Sequence, residues 1–168
     1  LTYPLFKRFT YWPQLMLGIT TGMGSFMGWS AVHNNIEPLT TIPLFIGSAS
    51  WTIFYDTIYG FQDMQCDKKA GIQSTSLLFT SYKIWKLILS LFPIISIFHW
   101  IIVGYNTNQT WPFYISLGIM SIYFYSVIKM IDISNSKKNL KLFRSNAFIS
   151  LCFLIAIIIS NKLKRTET

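Results

Sequence analysis

Five apolar segments divide this chain, and they constrain its fold more than any other feature. A helix needs about 20 predominantly apolar residues to cross the hydrocarbon core of a membrane. Segments of roughly this length lie at residues 13–32, 41–59, 84–104, 111–131 and 145–161. We therefore expect an all-α integral membrane protein with about five transmembrane helices, forming a single membrane domain over residues 1–168.

The composition supports a membrane protein and argues against a soluble domain. Of the 168 residues, 52% are hydrophobic and only 12% are charged, and the mean hydropathy is +0.42. The net charge of +8 does not indicate nucleic-acid binding, because the basic residues form short clusters between apolar segments. Cys66 and Cys152 lie far apart without CxxC spacing, so they indicate neither a disulfide framework nor a thiolate metal site.

The distribution of lysine and arginine predicts an orientation in the membrane. We call the side of the membrane that holds the N-terminus side A and the opposite side B. If the five segments cross in alternation, most of the 14 basic residues fall on side A. The exceptions, on side B, are Lys162, Lys164 and Arg165. By the positive-inside rule, side A is cytoplasm, matrix or stroma. We expect the polar connector at residues 135–141 to be a side-A loop, and the start at Leu1 without a targeting segment to reflect an N-terminal truncation.

Three of the six acidic residues fall within residues 56–67, at the side-A end of the second segment. If the helix continues past Tyr59, the spacing of Asp56, Asp63 and Asp67 keeps the three carboxylates within about 40° of one another. Such a stripe suits Mg²⁺, which takes one or two protein carboxylates and completes its shell with water and phosphate oxygens. The alternative is an interfacial helix end whose aspartates pair with Lys68 and Lys69.

Glycine and capping residues predict the structure around this stretch. Gly71 is a turn signal, and the serine and threonine residues at 74–76 are suited to capping a short helix that follows. In the first segment, the pairs Gly18/Gly22 and Gly24/Gly28 have the spacing that allows close helix approach, and we interpret them as packing positions.

Three blocks of sequence stand out: YPLFKRFTYWPQ at 3–14, YDTIYGFQD at 55–63 and GIQST at 71–75. Together they resemble the UbiA superfamily of intramembrane prenyltransferases, and within it the members that act on 4-hydroxybenzoate. The resemblance implies that the five segments are the last five of a nine-helix bundle. The family has two aspartate-rich motifs, and this sequence holds the second; the first, NDxxDxxxD, has no counterpart here. We therefore expect this fragment to be inactive alone.

The resemblance also implies roles for individual residues. In the family, Mg²⁺ bridges the diphosphate of a polyprenyl donor, and the ring of 4-hydroxybenzoate attacks the resulting allylic cation. The implied Mg²⁺ ligands and catalytic residues are Asp56, Asp63 and Asp67, with Tyr59 orienting substrate. The implied substrate-binding residues are Arg8 and Lys7, for the diphosphate or the benzoate carboxylate. Gln73 replaces the lysine of the family's GxKST, and Lys68 and Lys69 are the candidates to compensate.

The same resemblance implies a biological setting. We expect a role in ubiquinone biosynthesis in the mitochondrial inner membrane, with the active site facing the matrix, or in the plasma membrane of a bacterium. The expected partners are polyprenyl diphosphate, 4-hydroxybenzoate, the lipid bilayer and other quinone-biosynthesis proteins. Two alternatives stay open: a family member with another acceptor, such as homogentisate, naphthoate or a haem vinyl group, and a cation-binding transporter or channel subunit.

Overall fold

The computed structural model describes the backbone from Tyr3 to Glu167 and the side chains of residues 6–166. Across these residues all regular structure is helical, which confirms the all-α prediction. The helices are α1 (Tyr3–Phe9), α2 (Pro13–Gly22), α3 (Gly24–His33), α4 (Pro38–Ala70), α5 (Thr75–Thr80), α6 (Trp85–Asn106), α7 (Trp111–Met130) and α8 (Ser136–Glu167).

Three helices are long and apolar enough to cross a membrane: α6, α7 and the Ser136–Thr166 part of α8. They overlap the third, fourth and fifth predicted segments. The second segment lies inside α4. The first is divided at Met23 into α2 and α3, where glycines on both sides of Met23 weaken a continuous helix. The five predicted span boundaries therefore stay a prediction.

The prediction of a loop at residues 135–141 was wrong, because α8 begins at Ser136. Asn135 caps this helix, since its Oδ1 accepts a hydrogen bond from the Lys138 N–H at 3.0 Å. The Asn139 side chain donates to the Asp132 carbonyl at 2.8 Å and joins the first turn of α8 to the end of α7. These polar residues thus start a helix rather than interrupt one.

Helix α4 is 33 residues long and packs against α2, α6 and α8. Its buried face carries Phe54, Ile58 and Phe61, each at most 2% exposed. Aromatic edge contacts join this face to its neighbours: Phe54 to Phe124 with ring centroids 5.4 Å apart, and Phe61 to Trp85 at the same distance. The core is therefore built around α4.

The glycine pair Gly18/Gly22 packs against α4, as the spacing predicts. A Cβ added at Gly18 would lie 2.7 Å from the Ala49 carbonyl oxygen, and one at Gly22 would lie 2.9 Å from the Phe45 ring. By contrast, no atom of the described residues lies within 4 Å of a Cβ at Gly24 or Gly28. Only the first pair is a packing position within this part of the chain.

A buried hydrogen-bond cluster joins α2, α4 and α5. The Thr75 N–H donates to Gln14 Oε1 at 3.1 Å, and the hydroxyls of Thr57 and Thr75 lie 2.7 Å apart. The Ser76 hydroxyl donates to the Thr57 carbonyl at 3.1 Å. All four residues are 3% exposed or less. We call this set, Gln14, Thr57, Thr75 and Ser76, the polar cluster.

We expect Gly18→Ala to destabilise the protein by about 1–3 kcal/mol, because the added methyl group meets a backbone carbonyl and α2 must move away from α4. Gly118→Ala in α7 is the matched control, since no described atom lies within 4 Å of its Cβ position. Thermal unfolding in detergent measures both. Equal melting temperatures for the two variants would contradict close packing at Gly18.

We expect Gln14→Ala to cost about 1–3 kcal/mol, because the buried Thr75 N–H loses its acceptor. Gln65→Ala is the control, since Gln65 is exposed on α4. Hydrogen exchange of the Thr75 amide adds a local measurement. A Thr75 amide that exchanges as slowly in Gln14→Ala as in the parent protein would show that Gln14 is not its protecting acceptor.

Candidate functional site

The acidic residues Asp56, Asp63 and Asp67 lie on one continuous helix. The prediction that α4 continues past Tyr59 is confirmed, because the helix ends only at Ala70. Their spacing then places the three carboxylates along one side of α4. Asp56 and Asp63 are half-buried and Asp67 is 8% exposed. We call these three residues the acidic stripe.

Two charged groups act on the carboxyl of Asp67. Burial raises the pKa of Asp67 above its ordinary value of 3.8, and the Asp63 carboxylate acts in the same direction. The Lys7 ammonium lowers it in part. Positive charge near the end of α4 therefore favours the ionised form of Asp67.

The loop after α4 holds α1 beside the acidic stripe. Gly71 ends α4 in the left-handed conformation with φ of 67°, where glycine carries no Cβ penalty. Two residues later, the Gln73 N–H donates to the Lys7 carbonyl at 2.8 Å. Ser74 then caps α5 by accepting from the Leu77 N–H at 3.4 Å. The turn and the capping position both confirm their predictions.

Lys7 is the basic residue that the fold brings to the acidic stripe. Its ammonium interacts electrostatically with both Asp56 and Asp67. Lys7 is half-buried, whereas Arg8 is exposed at the end of α1. Two residues of the first resembling block thus lie at the same end of the molecule as the acidic stripe. Their roles toward substrate stay predictions.

The other predicted site residues occupy different surroundings. Tyr59 is 38% exposed, and its ring centroid lies 4.9 Å from that of Phe143 in α8. Lys68 lines a cavity of about 710 Å³ together with Gln73 and Tyr11. Lys68 therefore shares a cavity with Gln73, the residue that replaces the family's lysine. Tyr59 lies elsewhere, against Phe143.

The donor atoms of the acidic stripe fit Mg²⁺ in kind but do not enclose it. Carboxylate oxygens are the hard ligands that Mg²⁺ prefers, and one or two of them suffice when phosphate and water supply the rest. Within the described residues, no group of three or more His, Cys, Asp or Glu side chains is close enough to hold a metal ion. The role of Asp56, Asp63 and Asp67 as Mg²⁺ ligands therefore stays a prediction.

A second cavity, of about 630 Å³, lies between α2, α4 and α8. We call it the α8 cavity. Trp51 and Tyr55 of α4 and Phe143 of α8 form its aromatic wall, and Arg144 is the basic residue that lines it. Tyr55 directly precedes Asp56, so this cavity adjoins the turn of α4 where the acidic stripe begins.

Sequence reasoning missed two residues that shape this region. Gln14 was noted only as part of a resembling block, yet it anchors the polar cluster. Arg144 was counted only as a side-A charge, yet it lines the α8 cavity. The sequence signal for Arg144 was its position directly before the apolar segment 145–161, where a charge is costly unless it faces water or a polar interior.

Comparison with known proteins identifies the family. The UbiA prenyltransferase family model matches residues 1–152. The chain is 39% identical over 168 residues to the mitochondrial 4-hydroxybenzoate polyprenyltransferase of Bos taurus, covering 99% of this chain and 44% of that protein. It is 37% identical to the enzyme of the same name from Homo sapiens, covering 100% of this chain and 45% of the relative.

A solved structure has the same fold. The apo structure of a UbiA homolog from Aeropyrum pernix K1 superposes with a TM-score of 0.75 over 95% of this chain and 59% of that one, at 22% sequence identity. The chain spans less than half the length of the curated relatives above. The family match over most of its residues shows that this chain belongs to the UbiA prenyltransferase family.

Proposed function

We propose that the protein containing this chain transfers a polyprenyl group from polyprenyl diphosphate to the ring of 4-hydroxybenzoate. The observation that carries the proposal is the acidic stripe on α4 together with the Lys7 ammonium, which acts electrostatically on Asp56 and Asp67, a combination of charges that suits a metal-bound diphosphate. The names of the relatives support the choice of acceptor. No comparable observation favours another acceptor.

In this function, Asp56, Asp63 and Asp67 hold Mg²⁺ together with ligands outside the acidic stripe. When bound, Mg²⁺ neutralises the charge that develops on the departing diphosphate. Lys7 binds phosphate oxygens as a point charge, and Arg8 binds them through its planar guanidinium, which suits two parallel hydrogen bonds. We expect the isolated 168-residue chain to be inactive, because these three carboxylates form one wall only.

The reaction breaks the bond between the first prenyl carbon and the diphosphate oxygen, and the electron pair leaves with the diphosphate. A new bond forms from that carbon to the ring carbon ortho to the phenol, and the ring gives its proton to the released diphosphate to regain aromaticity. Tyr59 orients the substrate beside Asp56. The apolar cavity wall excludes water, which would otherwise capture the prenyl cation.

The proposed setting is ubiquinone biosynthesis in the mitochondrial inner membrane, with the acidic stripe facing the matrix and other quinone-biosynthesis proteins as partners. The bias of lysine and arginine toward side A supports this orientation, and the names of the relatives support the organelle. A transporter is less well supported, because transporter ion sites lie at broken helices near the midplane, whereas α4 continues unbroken through the acidic stripe.

We expect Asp63→Asn in the full-length protein to reduce Mg²⁺-dependent prenylation of 4-hydroxybenzoate by about 100-fold or more, as loss of a group that stabilises developing charge commonly does. Glu37→Gln is the control, because Glu37 lies at the opposite end of α4 and is exposed. Product formation with a radiolabelled acceptor measures both. Full turnover by Asp63→Asn would remove Asp63 from the site.

We expect Gln73→Lys to lower the KM for polyprenyl diphosphate severalfold while leaving the KM for 4-hydroxybenzoate unchanged. The new ammonium would stand on the residue whose N–H donates to the Lys7 carbonyl and would add attraction for the diphosphate. Initial rates at varied donor concentration measure the effect. An unchanged donor KM would count against a diphosphate role for position 73.

A further inference from the structure

We propose that Arg144 binds the carboxylate of the aromatic acceptor, in the α8 cavity. This assignment rests on the proposed function for the identity of the acceptor, and it adds a residue on α8 to a site so far built from α1 and α4. It also divides the two anionic groups of the substrates between two cations: the diphosphate goes to Lys7 and Arg8, and the carboxylate to Arg144.

The lining of the α8 cavity suits a small aromatic acid, and its volume leaves room for one. Its volume of about 630 Å³ lies within the range of about 300–1,000 Å³ common for small-molecule sites. Trp51, Tyr55 and Phe143 offer ring faces and edges against which an aromatic ring packs. Hydroxyl and amide groups from Thr21 and Asn146 complete the lining. A flat, apolar ring with polar substituents matches this mixture.

The aromatic wall is held in place by contacts between α4 and α8. The indole N–H of Trp51 donates to Asn146 Oδ1 at 3.2 Å, and Asn146 Nδ2 donates to the Leu142 carbonyl at 3.1 Å. The Phe143 ring lies 5.9 Å from Tyr55 and 4.9 Å from Tyr59, measured between centroids. Because Phe143 and Asn146 are fixed against α4, the backbone that carries Arg144 is fixed as well.

The charge of Arg144 gives the cavity its selectivity. Arg144 is the only basic residue among those found to line the α8 cavity, and the other lining groups are aromatic, aliphatic, hydroxyl or amide. Arg144 is exposed on α8, and a guanidinium binds a carboxylate through two parallel hydrogen bonds. Lys7, in contrast, interacts with the aspartates of the acidic stripe.

The position of the cavity also suits the reaction. Tyr55 lines it and is followed by Asp56, and Tyr59, one turn later, contacts Phe143. A ring held at Trp51 and Tyr55, with its carboxylate at Arg144, therefore lies next to the turn of α4 where the acidic stripe starts. The acceptor then lies beside the Asp56 end of the acidic stripe and does not occupy the space in front of its carboxylates.

The test uses Arg144→Gln and Arg144→Lys in the full-length protein, with Lys141→Gln as the matched control on the same helix. We expect Arg144→Gln to raise the KM for 4-hydroxybenzoate by about 10-fold or more, as expected for loss of charge-assisted hydrogen bonds. Arg144→Lys should give a smaller rise. The KM for polyprenyl diphosphate should not change in any of the three variants.

A neutral acceptor separates charge recognition from a structural effect. In the parent protein, the KM for 4-hydroxybenzamide should be higher than the KM for 4-hydroxybenzoate. In Arg144→Gln, the two acceptors should have similar KM values. The proposal would be overturned if Arg144→Gln raised the KM for both acceptors by the same factor, or if it left the KM for 4-hydroxybenzoate unchanged. If Arg144→Gln does not fold, the Arg144→Lys variant decides, since the proposal requires it to discriminate less between benzoate and benzamide.

Direct binding keeps this inference separate from the proposed function. Quenching of tryptophan fluorescence by 4-hydroxybenzoate, without donor or metal, measures affinity at a cavity that Trp51 lines. Binding that Arg144→Gln weakens would support the role of Arg144, even if no prenylated product forms and the proposed function fails. Absence of binding in the parent protein, or equal binding in both, would overturn the role of Arg144.

Discussion

The polar cluster at the junction of α2, α4 and α5 is the constraint on which the rest of the site depends. A buried amide or hydroxyl without a partner costs about 1–3 kcal/mol, so the hydrogen bonds from Thr75 to Gln14 and from Ser76 to Thr57 leave the 71–76 loop little freedom. That loop in turn contacts the Lys7 carbonyl through Gln73. The position of Lys7 beside the acidic stripe therefore depends on the polar cluster, which carries no charge.

Helix α4 connects the apolar core to the charged end of the molecule. Its buried face packs Phe54 and Ile58 into the core, and the same helix extends beyond the apolar segment to carry Asp63 and Asp67. Because packing fixes the rotation of the helix about its axis, it also fixes the direction of the carboxylates. A long helix that is anchored at one end and functional at the other is a rigid support for binding groups.

Features set by local chemistry were predictable from the sequence, and features set by tertiary contacts were not. The continuation of α4, the turn at Gly71 and the cap at Ser74 follow from spacing and residue type. The start of α8 at Ser136 was missed because a polar, basic stretch resembles a loop until Asn135 is recognised as its cap. The role of Gln14 was not predictable, since its partner, Thr75, is 61 residues away. The approach of Arg144 to Trp51 and Tyr55 likewise depends on how α8 packs.

In the proposed function, the acidic stripe supplies one wall of a binding site, and the chemistry of its carboxylates indicates what the other walls must provide. Three carboxylates on one helix repel one another, and burial raises the pKa of Asp67, so nearby positive charge stabilises the ionised set. Lys7 supplies part of it. A divalent cation supplies more, but Mg²⁺ requires six oxygen ligands in nearly octahedral arrangement, and a single helix side does not surround an ion. In the proposed function, the remaining ligands would come from substrate phosphate, water and groups outside the acidic stripe, so metal binding and substrate binding at this helix end would depend on each other.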